Sequence, residues 1–357
     1  MAETRNTPGF FSRLLFGLLA LAVAAALLLC YGALILNPAK AWLVSIFGLL
    51  YPLLLVLALL LLVAGLFRRS RLAALLFIIL LPSVFLAGRY VRFKGTDGEE
   101  GPLKIVSYNV GLFAHKQGAG ADVPRLALAD SVAAFLRGTD ADIICLQEFY
   151  LPNAVDIQGY LATRFPGYAA EYYVLTGQQG YAGNVTLSRR PILFKGKIDF
   201  EHSTNMALYT DISLDTAVVR IYNCHLESYN ISPEGVIRSI GGEDAVVETT
   251  GRKMRHTIER RPAQVEAVVR SMKESPVHSL VLGDFNDVPM SYTYQRLKAG
   301  RKDSFVAAGK GLSATYTKFR PFLRIDYILY PRDLEAVSYA VSKVRYSDHY
   351  PVIATYR

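Results

Sequence analysis

Long apolar runs fill the first quarter of the chain, and no charged residue falls inside any of them. The first runs from Leu14 to Leu36 and breaks at Asn37-Pro38. The second runs from Trp42 to Phe67 and ends at Arg68-Arg69-Ser70-Arg71. The third and shortest runs from Leu72 to Gly88. A helix needs about 20 apolar residues to cross the hydrocarbon of a bilayer, with a lower limit near 17. Charge buried in lipid is costly, which accounts for its absence from the runs. The pattern predicts three transmembrane helices in a membrane anchor of residues 1–94. The first run is too long for a secretory h-region and no A-x-A site with suitable flanks follows it, which argues against a cleaved signal peptide.

Beyond Lys94 the pattern changes. Lys94–Pro102 (KGTDGEEGP) is polar and Gly-rich, so residues 95–102 read as a linker. Residues 103–357 then alternate short β-branched runs with stretches of helical spacing. Strands are expected over Lys104–Val110, Ala141–Gln147, Ala169–Leu175, Asn184–Ser188, Ile192–Ile198, Ala207–Leu214, Ala217–Cys224, Ser279–Leu282, Arg324–Tyr330, Ala336–Val344 and Val352–Tyr356. Helices are expected over Val123–Arg137, Ala154–Phe165 and Pro262–Met272, the last with proline in its first turn, where a missing N–H costs little. Many strands with a few helices at intervals point to an α/β domain of two packed sheets flanked by helices. The stretch Tyr229–Arg261 reads as a long polar loop that includes Gly241-Gly242-Glu243-Asp244, and loops of that length are functional or disordered. Its basic end, Arg252–Arg261, reads as a solvated face.

Charge sharpens the division. The net charge is +9, yet residues 1–94 hold nine Lys and Arg against one acid, while the rest hold 30 against 29. The excess belongs to the membrane flanks and is no nucleic-acid footprint of the second region. Arg5 and Arg13 precede the first run, and Arg68, Arg69 and Arg71 follow the second; only Lys40 lies between the first two. By the positive-inside rule these Arg-rich flanks are cytoplasmic, and three spans then put residues 95–357 outside the cytoplasm; Arg89, Arg92 and Lys94 pull the other way. Cys30, Cys145 and Cys224 have no zinc spacing. A Cys145–Cys224 bridge stays open, since spacing alone does not give geometry.

Candidate chemistry gathers at the ends of the expected strands. Ser107-Tyr108-Asn109, Leu146-Gln147-Glu148, Asn223-Cys224-His225 and Gly283-Asp284-Phe285-Asn286-Asp287 end strands, Arg324-Ile325-Asp326-Tyr327 opens one, and Ser347-Asp348-His349 precedes the last. Ligand sites of α/β folds collect at such ends. Glu148, Asp348 and the amide oxygen of Asn109 form the all-oxygen donor set that Mg²⁺ prefers. Asp284 and Asn286, two apart, point to one side of an extended backbone and suit the holding and deprotonation of a water. His225 and His349 can donate to phosphoryl oxygens, and Asp326 can orient His349. Taken singly, each has an ordinary reading: a turn residue for Glu148, Asn109 and Asp348-His349, an Asx-turn for Asp284 and Asn286, a core histidine for His225.

Taken in order, S-Y-N-V, L-Q-E, H-L-E-S, G-D-F-N-D, R-I-D-Y and S-D-H-Y-P resemble the endonuclease/exonuclease/phosphatase superfamily, from Lys104 to Arg357. The resemblance implies a four-layer α/β sandwich that hydrolyses phosphate esters with a divalent metal, Mg²⁺ or Mn²⁺. It implies Asn109 and Glu148 as metal ligands, with Asp348 supporting the metal or its network. Asp284 would activate water beside Asn286, His349 would contact the phosphate with Asp326 behind it, and His225 would assist. Asn184, in Gly183-Asn184-Val185, would lie on the substrate side. The expected partners are the membrane and a phospholipid head group, another phosphodiester or nucleic acid. The alternative from another class is a receptor or scaffold on the same fold that has lost activity.

Overall fold

The computed structural model describes residues 9–96, 101–114, 124–215, 217–229, 244–318 and 323–357, with only the backbone for 244–247. The chain divides into two units, residues 1–88 and, apart from 290–292, residues 89–357.

The first unit is helical. Helices α1 (Phe10–Gly32) and α2 (Trp42–Phe67) are each long and apolar enough to cross a membrane. Their outward Leu and Phe side chains, such as Leu18, Leu60 and Phe67, are exposed. The expected third span is not one helix. It is α3 (Leu72–Leu80) and α4 (Ser83–Leu86), bent by 41° where α4 and the turn up to Arg89 begin. Pro82 sits in the break, lacking the N–H that would carry the helix on. Tyr31 fastens the bend from α1: its hydroxyl lies 2.8 Å from both Ile79 O and Ser83 Oγ.

The second unit holds two six-stranded mixed sheets. Strands β2 (Leu103–Asn109) and β3 (Ile143–Pro152) run parallel at the centre of one sheet, flanked by β14 (Val352–Tyr356) and β13 (Ala336–Val341) on one side and β5 (Gly180–Ser188) and β4 (Ala169–Thr176) on the other. Strands β8 (Val218–His225) and β9 (Ser279–Asp284) run parallel at the centre of the second. Around them lie β7 (Met206–Ser213) and β6 (Ile192–Asp199), and β12 (Asp326–Tyr330) and β10 (Lys302–Asp303). A short ribbon pairs β1 (Val91–Arg92) with β11 (Gly311–Leu312).

Alternation along the strands sorts the side chains into three cores. Ile105, Ile143 and Cys145 meet Ile221, Leu280, Leu282 and Ile328 between the sheets. Val106, Ile144 and Leu146, on the other face of the first sheet, pack on helices α5 (Arg125–Gly138) and α6 (Ile157–Arg164). Tyr222, Cys224 and Val281 pack on α7 (Asp244–Glu274). This period of two on a doubly covered sheet makes a helix–sheet–sheet–helix sandwich, the α/β architecture expected. Short helices α8 (Tyr292–Lys298) and α9 (Ser304–Ala308) complete the unit. All three cysteines are free, so no Cys145–Cys224 bridge exists; the Cys145 thiol lies 3.8 Å from Thr186 Oγ1 instead.

Helix α7 overturns two expectations. Pro262 lies inside it, and the helix begins at Asp244, replacing much of the expected loop; residues 230–243 of that loop lie outside the described residues. The buried stripe continues through the proline as Thr257, Ile258, Arg261, Gln264, Val265, Val268 and Met272. Three of these are polar, which hides the stripe from an apolar count. Arg261 is 2% exposed and belongs to no solvated face, whereas Arg252 and Arg255 are exposed and pair with Glu248 and Glu259 one turn away.

One buried ion pair leaves no oxygen of its carboxylate unmatched. Arg324 Nη1 donates to Asp303 Oδ2 at 2.8 Å and its Nη2 to Oδ1, both side chains being fully buried. Tyr294 Oη adds a 2.7 Å bond to Oδ2 and Phe305 N a 3.0 Å bond to Oδ1, while the Phe305 and Tyr327 rings sandwich the guanidinium at 4.8 and 4.6 Å. Burial pushes the Asp303 carboxyl up, but Arg324, Tyr294 and the Phe305 N–H more than offset it and hold it below the usual carboxylate range.

Candidate active site

Each parallel pair delivers two polar side chains at its carboxyl ends. Asn109 ends β2, His225 ends β8 and Asp284 ends β9, with His225 and Asp284 opposite one another. Glu148, expected just after its strand, lies within β3, on a bulge where Gln147 and Glu148 together face Asn184 of β5. Its φ of 51° marks the kink. A bulge turns a strand residue out of the alternation, and here it frees Glu148 from the core. Gly283 is required beside it in the other sheet: its φ is 122°, and a Cβ there would come 2.0 Å from Cys224 O.

Asn109 joins the two sheets. Its Nδ2 donates to Glu148 Oε1 at 3.0 Å and to Asp284 Oδ2 at 2.9 Å, while Oδ1 accepts from Gly111 N. His225 Nε2 lies 3.3 Å from Glu148 Oε1 and 4.0 Å from Asp284 Oδ2, yet it is buried with no hydrogen-bond partner among the described residues. Below them, Gln147 Nε2 donates to Asn223 Oδ1 at 2.7 Å, and Asn223 Nδ2 returns across the interface to Val185 O and Leu146 O.

Asp284 sits between two histidines. His349 Nε2 is 3.8 Å from its Oδ2, and His349 Nδ1 bonds both Asp326 oxygens at 3.2 and 3.1 Å. Asp326 is held through its N–H, which donates to Thr315 Oγ1. Burial pushes His349 down, but Asp326, Asp284 and Asp348 outweigh it and carry the imidazole up to about 10, so it is protonated near neutrality. Burial lifts Asp284 to about 6; His349, His225 and Asn109 pull it down, and Asp326 adds to the rise. Asn286 does not share an extended strand face with Asp284. Its φ of 51° turns the chain back, so that its N–H donates to Asp284 Oδ1 at 2.8 Å and its Nδ2 to Oδ2 at 3.1 Å and to Leu226 O at 2.8 Å. It fixes both oxygens of Asp284.

Two expected site residues stand apart from this cluster. Asp348 pairs with Lys318 Nζ at 2.9 Å and belongs to neither carboxylate–histidine group; burial opposes its charge, but His349 and Lys318 more than offset that and hold it below the usual range. Asn184 is buried opposite the β3 bulge, with its Nδ2 donating to Asn223 O and Met206 O. Those bonds tie the strands of the two sheets together.

The sequence reading missed Arg261. Its Nε donates to Glu227 O at 2.9 Å and its Nη1 lies 3.1 Å from Asp287 Oδ2, with the Tyr229 ring 4.4 Å away. It thereby joins the loop after His225 to the loop after Asp284. Thr257 and Gln264 of the same helix bind that first loop through Ser228 O and Glu227 N. Also missed were Tyr316, whose ring lies 5.0 Å from that of His349, and Lys318. An Arg-x-x-Gln pair on one helical face was the available signal for Arg261.

The donor set fits a hard divalent cation. Two carboxylates converge on one amide, and among the described residues neither has a Lys or Arg ion-pair partner. The unpartnered His225 nitrogen points at the same place. Glu148, His225 and Asp284 form one group whose ligand atoms lie within 4.8 Å of one another, and Asp284, Asp326 and His349 form a second.

Comparison with known proteins agrees with this geometry. The model of the Endonuclease/Exonuclease/phosphatase family matches residues 106–349, and residues 12–90 match a domain of unknown function (DUF8431). A search of curated proteins found no match. Among solved structures, an endonuclease/exonuclease/phosphatase from Beutenbergia cavernae DSM 12333 superposes with a TM-score of 0.51 at 18% identity, over 72% of each chain. Another from Bacteroides vulgatus gives 0.51 at 17%, over 71% of this chain and 98% of that one. The human Nocturnin catalytic domain with bound sulfate gives 0.51 at 15%, over 72% and 95%. At such identities the likeness speaks for the fold, and the family match, which spans most of the chain, decides membership: this chain belongs to the endonuclease/exonuclease/phosphatase family of enzymes, hydrolases of phosphate esters.

Proposed function

We propose that this chain is a membrane-anchored, Mg²⁺-dependent phosphoesterase whose catalytic domain lies outside the cytoplasm. The observation that carries the reading is the meeting of Asn109, Glu148, His225 and Asp284 at the ends of two parallel strand pairs. Glu148 would hold the ion, with Asn109 presenting its oxygen once the amide rotates and Asp284 left to face the attacking water beside it; oxygen donors favour Mg²⁺, and Mn²⁺ is the nearest substitute. Bound there, the cation would neutralise charge on the phosphoryl group.

The remaining steps belong to the protein. Asp284, raised towards neutrality and gripped by Asn286, accepts a proton from the attacking water. His349 is held cationic by Asp326 and donates through Nε2 to a phosphoryl oxygen as charge develops. His225 Nε2, which among the described residues makes no hydrogen bond, offers a second donor. Asp348, paired with Lys318, adds its charge to those that keep His349 cationic.

Two apolar helices and a broken third support membrane attachment. Arg13 and the Arg68/Arg69/Arg71 cluster support cytoplasmic placement of their flanks and an outward catalytic domain. Tethering at a bilayer favours a phospholipid head group, with other phosphodiesters and nucleic acid as the competing substrates. The test uses the purified full chain in detergent or nanodiscs. Sphingomyelin, phosphatidylinositol phosphates, DNA and RNA are offered with Mg²⁺ and with chelator. Hydrolysis of any of them that chelator abolishes and Mg²⁺ restores supports the reading; no metal-dependent hydrolysis of any of them overturns it in favour of a receptor or scaffold.

A further inference from the structure

The stretch that leads into the first sheet is no free tether. The main chain of Arg89 and Tyr90 is bound to the catalytic domain: Arg89 O accepts from Ser313 Oγ and Arg324 Nη1, and Tyr90 O accepts from Ser313 N at 3.0 Å. Arg89 Nη1 donates to Pro289 O at 2.9 Å. Val91 and Arg92 then pair with Leu312 and Gly311, and Thr96 N donates to Ala308 O. The linker expected from Lys94 onward is therefore fastened in its described part.

The ribbon so formed shows its apolar side outward. Phe93 is 88% exposed and Leu312, opposite Val91, is 58% exposed. A single exposed leucine is ordinary. An aromatic ring left almost wholly in water beside a second large apolar side chain is not, and Arg92, Lys94 and Lys310 flank the pair. Asp97, Glu99 and Glu100 follow in the sequence and temper the positive charge, so the apolar side chains matter most. Phe93 lies four residues beyond Arg89, where the apolar segment ends. Four residues reach at most ~14 Å, so the ring stays close to wherever that segment leaves the bilayer.

We propose that the β1–β11 ribbon is a lipid-docking edge, with Phe93 and Leu312 entering the head-group layer of the membrane that holds the apolar segment. This inference rests on the reading of that segment as membrane-embedded. Phe and Leu side chains on an otherwise polar surface bury at the head-group/acyl boundary, and the flanking Lys and Arg suit anionic head groups. With both side chains in place, the catalytic domain is held against the lipid surface and not released on a flexible stalk.

The chain has a single tryptophan, Trp42, which makes the test separable. The full chain is placed in nanodiscs whose lipids carry bromine high on the acyl chain, and tryptophan emission is compared with that in unbrominated lipid. In the native chain, quenching of Trp42 reports insertion of the helices. In a chain carrying both Trp42→Phe and Phe93→Trp, the introduced indole is the sole emitter. Its quenching is expected, and adding Leu312→Asp should reduce it. Quenched Trp42 in the native chain with an unquenched indole in the double variant overturns the docking while leaving the membrane reading intact. An unquenched indole with blue-shifted emission would assign the ribbon to a protein contact instead, such as a second copy, and also overturns it. If Trp42 itself is unquenched, both readings fall.

Discussion

Two buried aspartates of the catalytic domain, Asp303 and Asp284, sit in similar depth and opposite condition. Asp303 is met by the full fork of Arg324, a tyrosine hydroxyl and a backbone N–H, and its charge is cancelled where it lies. Asp284 is met by two amides and two histidines at 3.8 and 4.0 Å, beside Glu148 and Asp326. One carboxyl is driven down and the other up to about 6. Burial is common to both and so distinguishes nothing. What separates structure from chemistry is whether the protein completes the charge by itself or leaves it to be completed by something that binds.

The sharpest way to break this contrast is at Asp284. Asp284→Asn should lower hydrolysis by about 10²–10⁴-fold, as loss of a positioned base does, and chelator should do no less to the native chain. Its melting temperature, measured without metal, should hold or rise, because an unmatched buried carboxylate is removed. A marked drop in stability would place Asp284 among the structural aspartates. Asp303→Asn should behave in reverse. Breaking a buried pair costs roughly 3–5 kcal/mol, to be read from denaturant midpoints, while turnover per folded molecule stays native.

Arg261 stands between the two classes, since it is buried and paired but touches both catalytic loops. Arg261→Ala should lower kcat by about 10–100-fold with a smaller change in KM, the signature of misplaced groups. Arg261→Lys should recover part of the kcat. Equal loss in both variants, matched by unfolding, would make the role structural only.

The smallest effect is in the pH dependence of stability, followed with chelator present. Asp303 has a folded pKa below its unfolded value, so its contribution is present above the unfolded value near ~4 and is lost as pH falls through the folded one. Asp284 has a raised pKa, so the folded state holds more protons than the unfolded chain between about 4 and about 6, and its contribution declines as pH rises through that window. Replacing each by Asn in turn should remove slopes of opposite sign. Slopes of the same sign would end the distinction.

Much of this was legible before any coordinates. Strand ends are readable because polar residues interrupt β-branched runs, and the residues that meet at the cleft, Asn109, His225, Asp284 and His349, all stand at such interruptions. Glu148 was legible as a residue but not as a position, because a bulge is a relation between two strands and neither sequence contains it. Helix α7 was half hidden because Thr257, Arg261 and Gln264 occupy its buried stripe; they satisfy a loop, and periodicity counts only grease. The third apolar run looked continuous in hydropathy, though Pro82 already marked the place of its bend. Asp348 and Asn184 were legible as polar residues beside the candidate site, but not their partners, Lys318 for one and two backbone carbonyls for the other.

The division of the cleft between two sheets has a consequence for the life of the chain. Asn109 and Glu148 come from one half of the polypeptide, His225 and Asp284 from the other, and each pair alone is only an ordinary strand end. On the proposed assignment a nascent or partly assembled molecule would be catalytically silent. The hydrolase would come into being only when the two sheets meet, so that activity would certify that the whole domain has been made and folded.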